Sequence, residues 1–182
     1  MKYTVVLALV ITLGYLPARA QSGPAIHQSG PAVTPPNPAD APSAQSAEDS
    51  VKAAVNALFV GMKNADANQI RDAFTDSAIM QSIGTDPMGK SSVRTTALSQ
   101  FLTRISSLGK GGADERVHID WVKVDGPLAT VWAPYSFFLN GKFHHCGVDT
   151  FQLLRTGTGW KIQYIIYTGR MNDCPIGTPD AP

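Results

Sequence analysis

The sequence has few of the features that usually identify a function. Its formal net charge is +1, and no run of basic residues interleaves with aromatics, so nothing indicates a nucleic-acid surface. The two cysteines lack CxxC spacing and cannot form a zinc site by themselves. There is no GxSxG segment, and the glycines at 109–112 lack the strand-then-helix context of a phosphate-binding loop. These absences leave the reaction, if there is one, unspecified.

Long hydrophobic runs are also lacking beyond the N-terminus. Residues 1–20 carry Lys2, an apolar run from Val5 to Leu16 and an Ala-Arg-Ala segment, the order typical of a cleavable secretory signal peptide. Residues 21–47 are rich in Pro, Ala and Ser and poor in large apolar side chains, which predicts a disordered tether. We therefore expect a secreted, periplasmic protein with no membrane span after cleavage, a domain at 48–175 and a tail at 176–182.

Three helices are predicted in the first half of the domain. Residues 46–49 resemble a capping box, and an apolar stripe from Val51 to Met62 follows it. Asp66 is expected to cap a second, short helix ending near Phe74. A short strand is predicted at 78–83, and a third helix at about 91–107, before the glycines at 109–112.

The second half, residues 117–170, predicts four antiparallel strands. Asp125-Gly126 and Asn140-Gly141 favour two-residue turns, and residues 156–159 a third turn. With these turns and unbroken strands, cross-strand pairing sorts the side chains into two faces. The predicted core face includes Leu128, Trp132, His145, Asp149, Phe151, Trp160, Tyr164, Ile166 and Arg170. The predicted outer face includes Val131, Ala133, Tyr135, His144, Val148, Ile165 and Tyr167.

Helices with apolar stripes and a sheet with one apolar face predict that the helices cover that face. The expected fold is α+β, a curved, mostly antiparallel sheet with three helices packed on its concave face, and the open end of this cone forms a pocket. Cys146 and Cys174 are either bridged or free, because Cys146 is expected opposite Gly169 and Cys174 must fold back to reach it.

Several segments resemble a known superfamily. They are VWAPY at 131–135, HCGVD at 145–149 and GWKI at 159–162, together with the helix order and the final Cys-Pro. From Asp49 to Cys174 the chain resembles secreted bacterial members of the nuclear transport factor 2-like superfamily. That superfamily includes ketosteroid isomerase, scytalone dehydratase and limonene epoxide hydrolase, as well as proteins that only bind or assemble. The resemblance therefore implies a cone-shaped fold and no particular reaction.

Asp149 and His145 are the candidate catalytic residues. A carboxylate on an apolar face is desolvated, which raises its pKa toward the range of a general acid or base. Structural roles remain open for both, since Asp149 can accept hydrogen bonds within the sheet and His145 can be a satisfied core histidine. His144 is expected to point away from His145 along an unbroken strand, so no metal site is predicted.

The candidate ligand-binding residues are Trp121, Trp132, Phe151, Tyr164 and Arg170. Three hypotheses for function follow. The first is a secreted domain that binds a small apolar or aromatic molecule in the cone without converting it. The second is an isomerase, dehydratase or hydrolase in which Asp149 is the general acid/base, supported by His145 or Tyr164. The third is a homodimeric interaction module using the outer face of the sheet. No cofactor is predicted.

Overall fold

A computed structural model describes residues 43–181. The predicted signal peptide and nearly all of the predicted tether lie outside this range. The helices are α1 (Ala44–Asn64), α2 (Ala67–Ala73) and α3 (Leu98–Leu108). The strands are β1 (Phe74–Thr85), β2 (Ser91–Thr96), β3 (Ala113–Val117), β4 (Trp121–Asp125), β5 (Leu128–Leu139), β6 (Lys142–Thr156) and β7 (Gly159–Arg170).

Helix α1 begins earlier than predicted. Ser43 is the N-cap, and its hydroxyl accepts a hydrogen bond from the backbone N–H of Ser46. The last residues assigned to the tether therefore belong to the helix, and the predicted capping box at 46–49 was wrong. Asp66 caps α2 as predicted, since its carboxylate accepts from the backbone N–H groups of Asn68 and Gln69.

The predicted third helix is a strand followed by a shorter helix. β2 occupies the first six residues of the predicted span, and α3 begins only at Leu98. The strand sequence SSVRTT is rich in Ser, Thr and Val, which favour extended structure over helix. The carboxylate of Asp86 accepts from the backbone N–H groups of Met88 and Lys90, which closes the turn and pairs β2 with β1.

The predicted fold class is confirmed. The strands form one curved, unclosed sheet in the order β2-β1-β7-β6-β5-β3, and β4 also pairs with β5. β1 and β7 are parallel, while all other pairs are antiparallel. The helices pack on the concave face. Phe59 of α1 meets Phe151 edge-on at 6.1 Å, and Trp160 donates a hydrogen bond to Ser50 of α1.

The hairpin turns lie at or near their predicted positions. Asn140-Gly141 and residues 157–158 connect the strands as expected. The loop between β4 and β5 is Gly126-Pro127, because Asp125 pairs with Leu128. This pairing differs from the predicted one by two residues, so the side chains of β4 still share a face with their predicted neighbours on β5.

Two β-bulges change the faces farther along the strands. His144 has no partner on β5, so that Phe138 pairs with Phe143 but Phe137 pairs with His145. Gln163 is a similar extra residue on β7, between the pairs Leu153–Ile162 and Gln152–Tyr164. A single inserted residue reverses the alternation beyond it. The predicted faces were therefore wrong on one side of each bulge.

The helix-covered face carries a different set of residues from the one predicted. Its buried members include Ala129, Val131, Ala133, Tyr135, Asp149, Phe151, Leu153, Trp160, Ile162 and Ile165. Leu128 and Trp132 instead lie exposed on the opposite, outer face. The outer surface predicted for a homodimer was wrong, because Val131 and Ala133 are fully buried. A homodimer itself stays a prediction.

The C-terminal segment is held to the outer side of the sheet. The structure joins Cys146 and Cys174 in a disulfide with a Cα–Cα distance of 5.7 Å. Cys146 pairs with Arg170 across the strands, one residue beyond the expected Gly169. None of the helices within residues 43–181 has the length and apolar character needed to cross a membrane.

Candidate functional site

A cavity of about 380 Å³ lies between the helices and the concave face of the sheet. Its apolar wall comes mainly from α1 and α3. These side chains are Leu58, Phe59, Met62, Phe101, Ile105 and Leu108, joined from the sheet by Met80, Phe137, Leu139 and Ile165. The polar and ionisable groups of the wall are Arg104, Glu115, Tyr135, His144, His145, Asp149 and Tyr167. The site is an apolar chamber with a few ionisable groups on its sheet side.

Asp149 lines this cavity from the middle of β6. Its cross-strand neighbours are Ala133 and Tyr167, in place of the predicted Trp132 and Ile166. The side chain is 2% exposed, and burial raises the pKa of its carboxyl well above the ordinary value. Within residues 43–181, its Oδ2 atom has no hydrogen-bond partner. A buried, unpaired carboxyl oxygen of this kind is available to a ligand.

Glu115 is the second acid of the cavity, and the sequence reasoning missed it. It lies on β3 opposite Phe137, partly buried and within hydrogen-bonding reach of Asp149. Burial raises the pKa of the Glu115 carboxyl to about 7, while the hydrogen bond with Asp149 acts in the opposite direction. Two carboxyls that are desolvated and in hydrogen-bonding contact resist ionising together. At neutral pH, the Glu115–Asp149 pair therefore carries a shared proton in at least a fraction of the molecules.

The alternation around Glu115 was a usable signal. Ala113, Glu115 and Val117 alternate with charged residues, and a strand that starts at Ala113 places all three on one face. The predicted sheet started at Val117, so Glu115 was assigned to the connection after the glycines. Because β3 is only five residues long, its apolar alternation is weak evidence on its own.

His144 and His145 both line the cavity, contrary to the prediction that they point apart. The bulge at His144 breaks the alternation, and the two Nδ1 atoms lie 2.8 Å apart. His145 also packs against Tyr135 and Phe137, with ring-centroid distances of 5.5 and 5.0 Å. Burial, and then the neighbouring His144, lower the pKa of His145 to about 4. His145 is therefore neutral at physiological pH.

The aromatic residues predicted to bind a ligand do not line the cavity. Trp121 and Trp132 stack on each other at 6.4 Å on the outer face, and both are exposed. Phe151 lies on the correct face but is fully buried in the core below the cavity wall. The bulge at His144 accounts for Trp132, because it places Ala133 rather than Trp132 beside Asp149.

Tyr164 and Arg170 are also outside the cavity. The bulge at Gln163 turns Tyr164 to the other face, where its hydroxyl donates to Gln81 Oε1 at 2.7 Å. Arg170 is exposed at the end of β7 and pairs with Cys146, so it is not the cross-strand partner of His145. Neither residue is placed to contact a molecule in the cavity.

Tyr135 completes the sheet side of the cavity. Its hydroxyl donates to the backbone carbonyl of Thr168 at 2.8 Å. Burial, and then the charges of Glu115 and Asp149, raise its pKa above the ordinary value. Tyr135 therefore stays protonated, and its hydroxyl hydrogen is already engaged. No cluster of three or more His, Cys, Asp or Glu side chains suited to a metal occurs within the part of the chain described.

Comparison with family sequence profiles gives one match. The family described as "Putative lumazine-binding" matches residues 46–168, which includes every element from α1 to most of β7. The chain belongs to this family. The matched range contains all the cavity-lining residues. No curated protein shows significant similarity to the sequence.

Solved structures with the same fold support the superfamily assignment. A nuclear transport factor 2-like protein of unknown function from Shewanella baltica is 19% identical, with a TM-score of 0.52 over 67% of this chain and 92% of the other. A protein from Streptomyces avermitilis described as a putative dehydratase is 15% identical, with a TM-score of 0.53 over 70% and 99%. The protein therefore has the nuclear transport factor 2-like fold. Sequence identities of 15% and 19% show the fold alone and do not show a shared function.

Proposed function

We propose that the chain is an exported, periplasmic protein that binds a small apolar or aromatic molecule in the cavity without converting it. The observation that carries this proposal is a chamber of about 380 Å³ with a mainly apolar wall and a buried carboxyl oxygen that has no hydrogen-bond partner within residues 43–181. Small-molecule sites have about this size and this combination of apolar wall and few polar groups. The N-terminal segment supports export, because its residues have the order of a signal peptide.

Asp149 and His145 orient the ligand in this proposal. Asp149 offers an unpaired oxygen, and neutral His145 offers a ring edge beside the aromatic side chains of Tyr135 and Phe137. The family description supports a ligand of this kind, since lumazine is a flat bicyclic molecule with polar edges. Such a molecule places its faces against aromatic side chains and its edges against the acids.

Calorimetric titration with naphthylmethanol tests this proposal. The expected result is saturable binding that a Leu108→Trp substitution abolishes, because the larger side chain fills part of the cavity. Leu128→Trp is the matched control, since Leu128 is 52% exposed on the outer face. Binding that survives Leu108→Trp, or that Leu128→Trp also removes, would place the ligand elsewhere.

Acid/base catalysis is the second candidate function, and the Glu115–Asp149 pair favours it. The Glu115 carboxyl, with a pKa of about 7, exchanges protons readily near neutral pH and is hydrogen-bonded to Asp149. Asp149 remains the proposed general acid/base, but Tyr164 is no longer a supporting residue because it lies on the other face. A naphthyl ketone incubated in deuterium oxide tests this candidate. Deuterium uptake beside the carbonyl that Asp149→Asn abolishes would support catalysis, and no uptake above the buffer rate would oppose it.

A further inference from the structure

Among the residues that the structure describes, the Glu115–Asp149 pair lacks a cationic partner. Within residues 43–181, no Lys, Arg or His forms a salt bridge with either carboxyl. Arg104 of α3 lines the cavity, but it is not among the causes that set the pKa of Glu115 or Asp149. The acids therefore face the cavity without the counter-charge that buried carboxylates usually have.

Within residues 43–181, none of the other ionisable groups around the pair hydrogen-bonds the unpaired oxygen of Asp149. Tyr135 already donates to the carbonyl of Thr168. His144 and His145 are hydrogen-bonded to each other, and the low pKa of His145 keeps that ring uncharged at neutral pH. Tyr167 faces the pair from β7, and burial raises its pKa, so it remains a neutral phenol. In the described part of the chain, Asp149 Oδ2 is left without a partner.

We infer that the Glu115–Asp149 pair recognises a protonated amine carried on an apolar or aromatic body. This inference deepens the proposed function and rests on it. An ammonium group brings two or three N–H donors and a positive charge, which the two carboxyls and the unpaired Asp149 oxygen accept. The aromatic side chains of the wall, among them Phe59, Phe101 and Phe137, suit the apolar body and also the cation.

Binding an amine must be coupled to proton release. In the absence of ligand, the carboxyls of Glu115 and Asp149 share a proton. A bound ammonium group displaces that proton, because the two would otherwise compete for the same carboxyl oxygens. The affinity for an amine should therefore rise with pH as the pair ionises, until the amine itself loses its proton near its own pKa. A neutral molecule of the same shape should not show this rise.

Naphthylmethylamine and naphthylmethanol are isosteric probes for this test on the full-length chain. At pH 8 we expect the amine to bind roughly tenfold to a hundredfold more tightly than the alcohol, as for a hydrogen bond to a charged group. The amine's affinity should rise from pH 5.5 to pH 8, and calorimetry in buffers of different ionisation enthalpy should show proton release. Long-range electrostatic attraction to the protein as a whole does not explain a preference for a cationic ligand, since the chain's net charge is +1.

Glu115→Gln and Asp149→Asn should each remove most of the preference for the amine, measured as the ratio of the two affinities, although the affinity for naphthylmethanol changes as well because both residues line the cavity. Cooperative urea unfolding of each variant shows that the fold is intact. Asp125→Asn, at an exposed acid at the end of β4, should change nothing. Equal binding of the two probes would overturn the amine inference and leave the proposed function standing. Binding of neither probe would overturn both. An amine preference that persists in Glu115→Gln and Asp149→Asn would overturn the assignment to this pair.

Discussion

The buried acid pair predicts an unusual dependence of stability on pH. The pKa of Glu115 rises from 4.5 to about 7 on folding, so the folded state binds more protons than the unfolded state between these pH values. The free energy of unfolding must then fall as pH rises through this range. At about 1.4 kcal/mol per pKa unit, the contribution lost by pH 8 is roughly 3 kcal/mol. An ordinary surface carboxylate contributes in the opposite sense or not at all.

The contribution of Glu115 has to be measured as a difference in unfolding free energy between wild type and a variant. The titration of His145 changes the stability of the wild type with pH in the opposite direction. The pKa of His145 falls from 6.5 to about 4 on folding, so its contribution is present above pH 6.5 and is lost as pH falls toward 4. Urea unfolding of wild type and Glu115→Gln, at several pH values from 4.5 to 8, measures the part of the pH dependence that requires Glu115, including its effect on Asp149. The wild type should lose roughly 3 kcal/mol relative to Glu115→Gln across this range, by the same conversion from pKa.

Two controls define the result. His145→Gln should show the opposite trend, with the wild type losing stability relative to the variant as pH falls below about 6.5. Asp125→Asn, at an exposed acid, should show no trend of comparable size. A wild-type minus Glu115→Gln difference that stays constant, or that grows with pH, would show that Glu115 is not a desolvated acid and would refute the reasoning.

Two further predictions concern the frame of the site. Gly147→Ala should destabilise the fold by about 3 kcal/mol, because a Cβ there would clash with the backbone oxygen of Thr168. Gly84→Ala, which meets nothing within 4 Å, should be nearly neutral in the same urea unfolding experiment. Replacing both Cys146 and Cys174 with Ser should lower the free energy of unfolding by roughly 3–4 kcal/mol, since the bridge spans 28 residues; a loss below about 1 kcal/mol would contradict the chain-entropy account.

The fold was predictable from the sequence because several independent signals agreed. The apolar stripe that begins at Val51, the cap at Asp66 and the turn at Asn140-Gly141 each require only local information, and each is present in the structure. The predicted third helix was wrong only over residues 91–96, where pairing with strand β1 favours an extended conformation. Tertiary pairing of that kind overrides a weak helical pattern.

The site was less predictable because a single bulge decides which residues share a face. Asp149 and His145 were identified as candidates, and both line the cavity. Their surroundings were wrong, because the extra residue at His144 replaces Trp132 with Ala133 beside Asp149. Neither bulge has the glycine that often marks one, so the turns alone suggested an unbroken register.

The most direct test of the central claim is to locate a bound small molecule by NMR. With ¹³C-labelled methyl groups, naphthylmethanol or naphthylmethylamine should shift the signals of Met80, Ile105 and Ile165, which line the cavity. The signals of Ile79 and Val93, which are 46% and 57% exposed, should remain unchanged. Shifts confined to the cavity methyls would establish the chamber as the binding site. Shifts only at exposed methyls, or none at saturating ligand, would contradict the account.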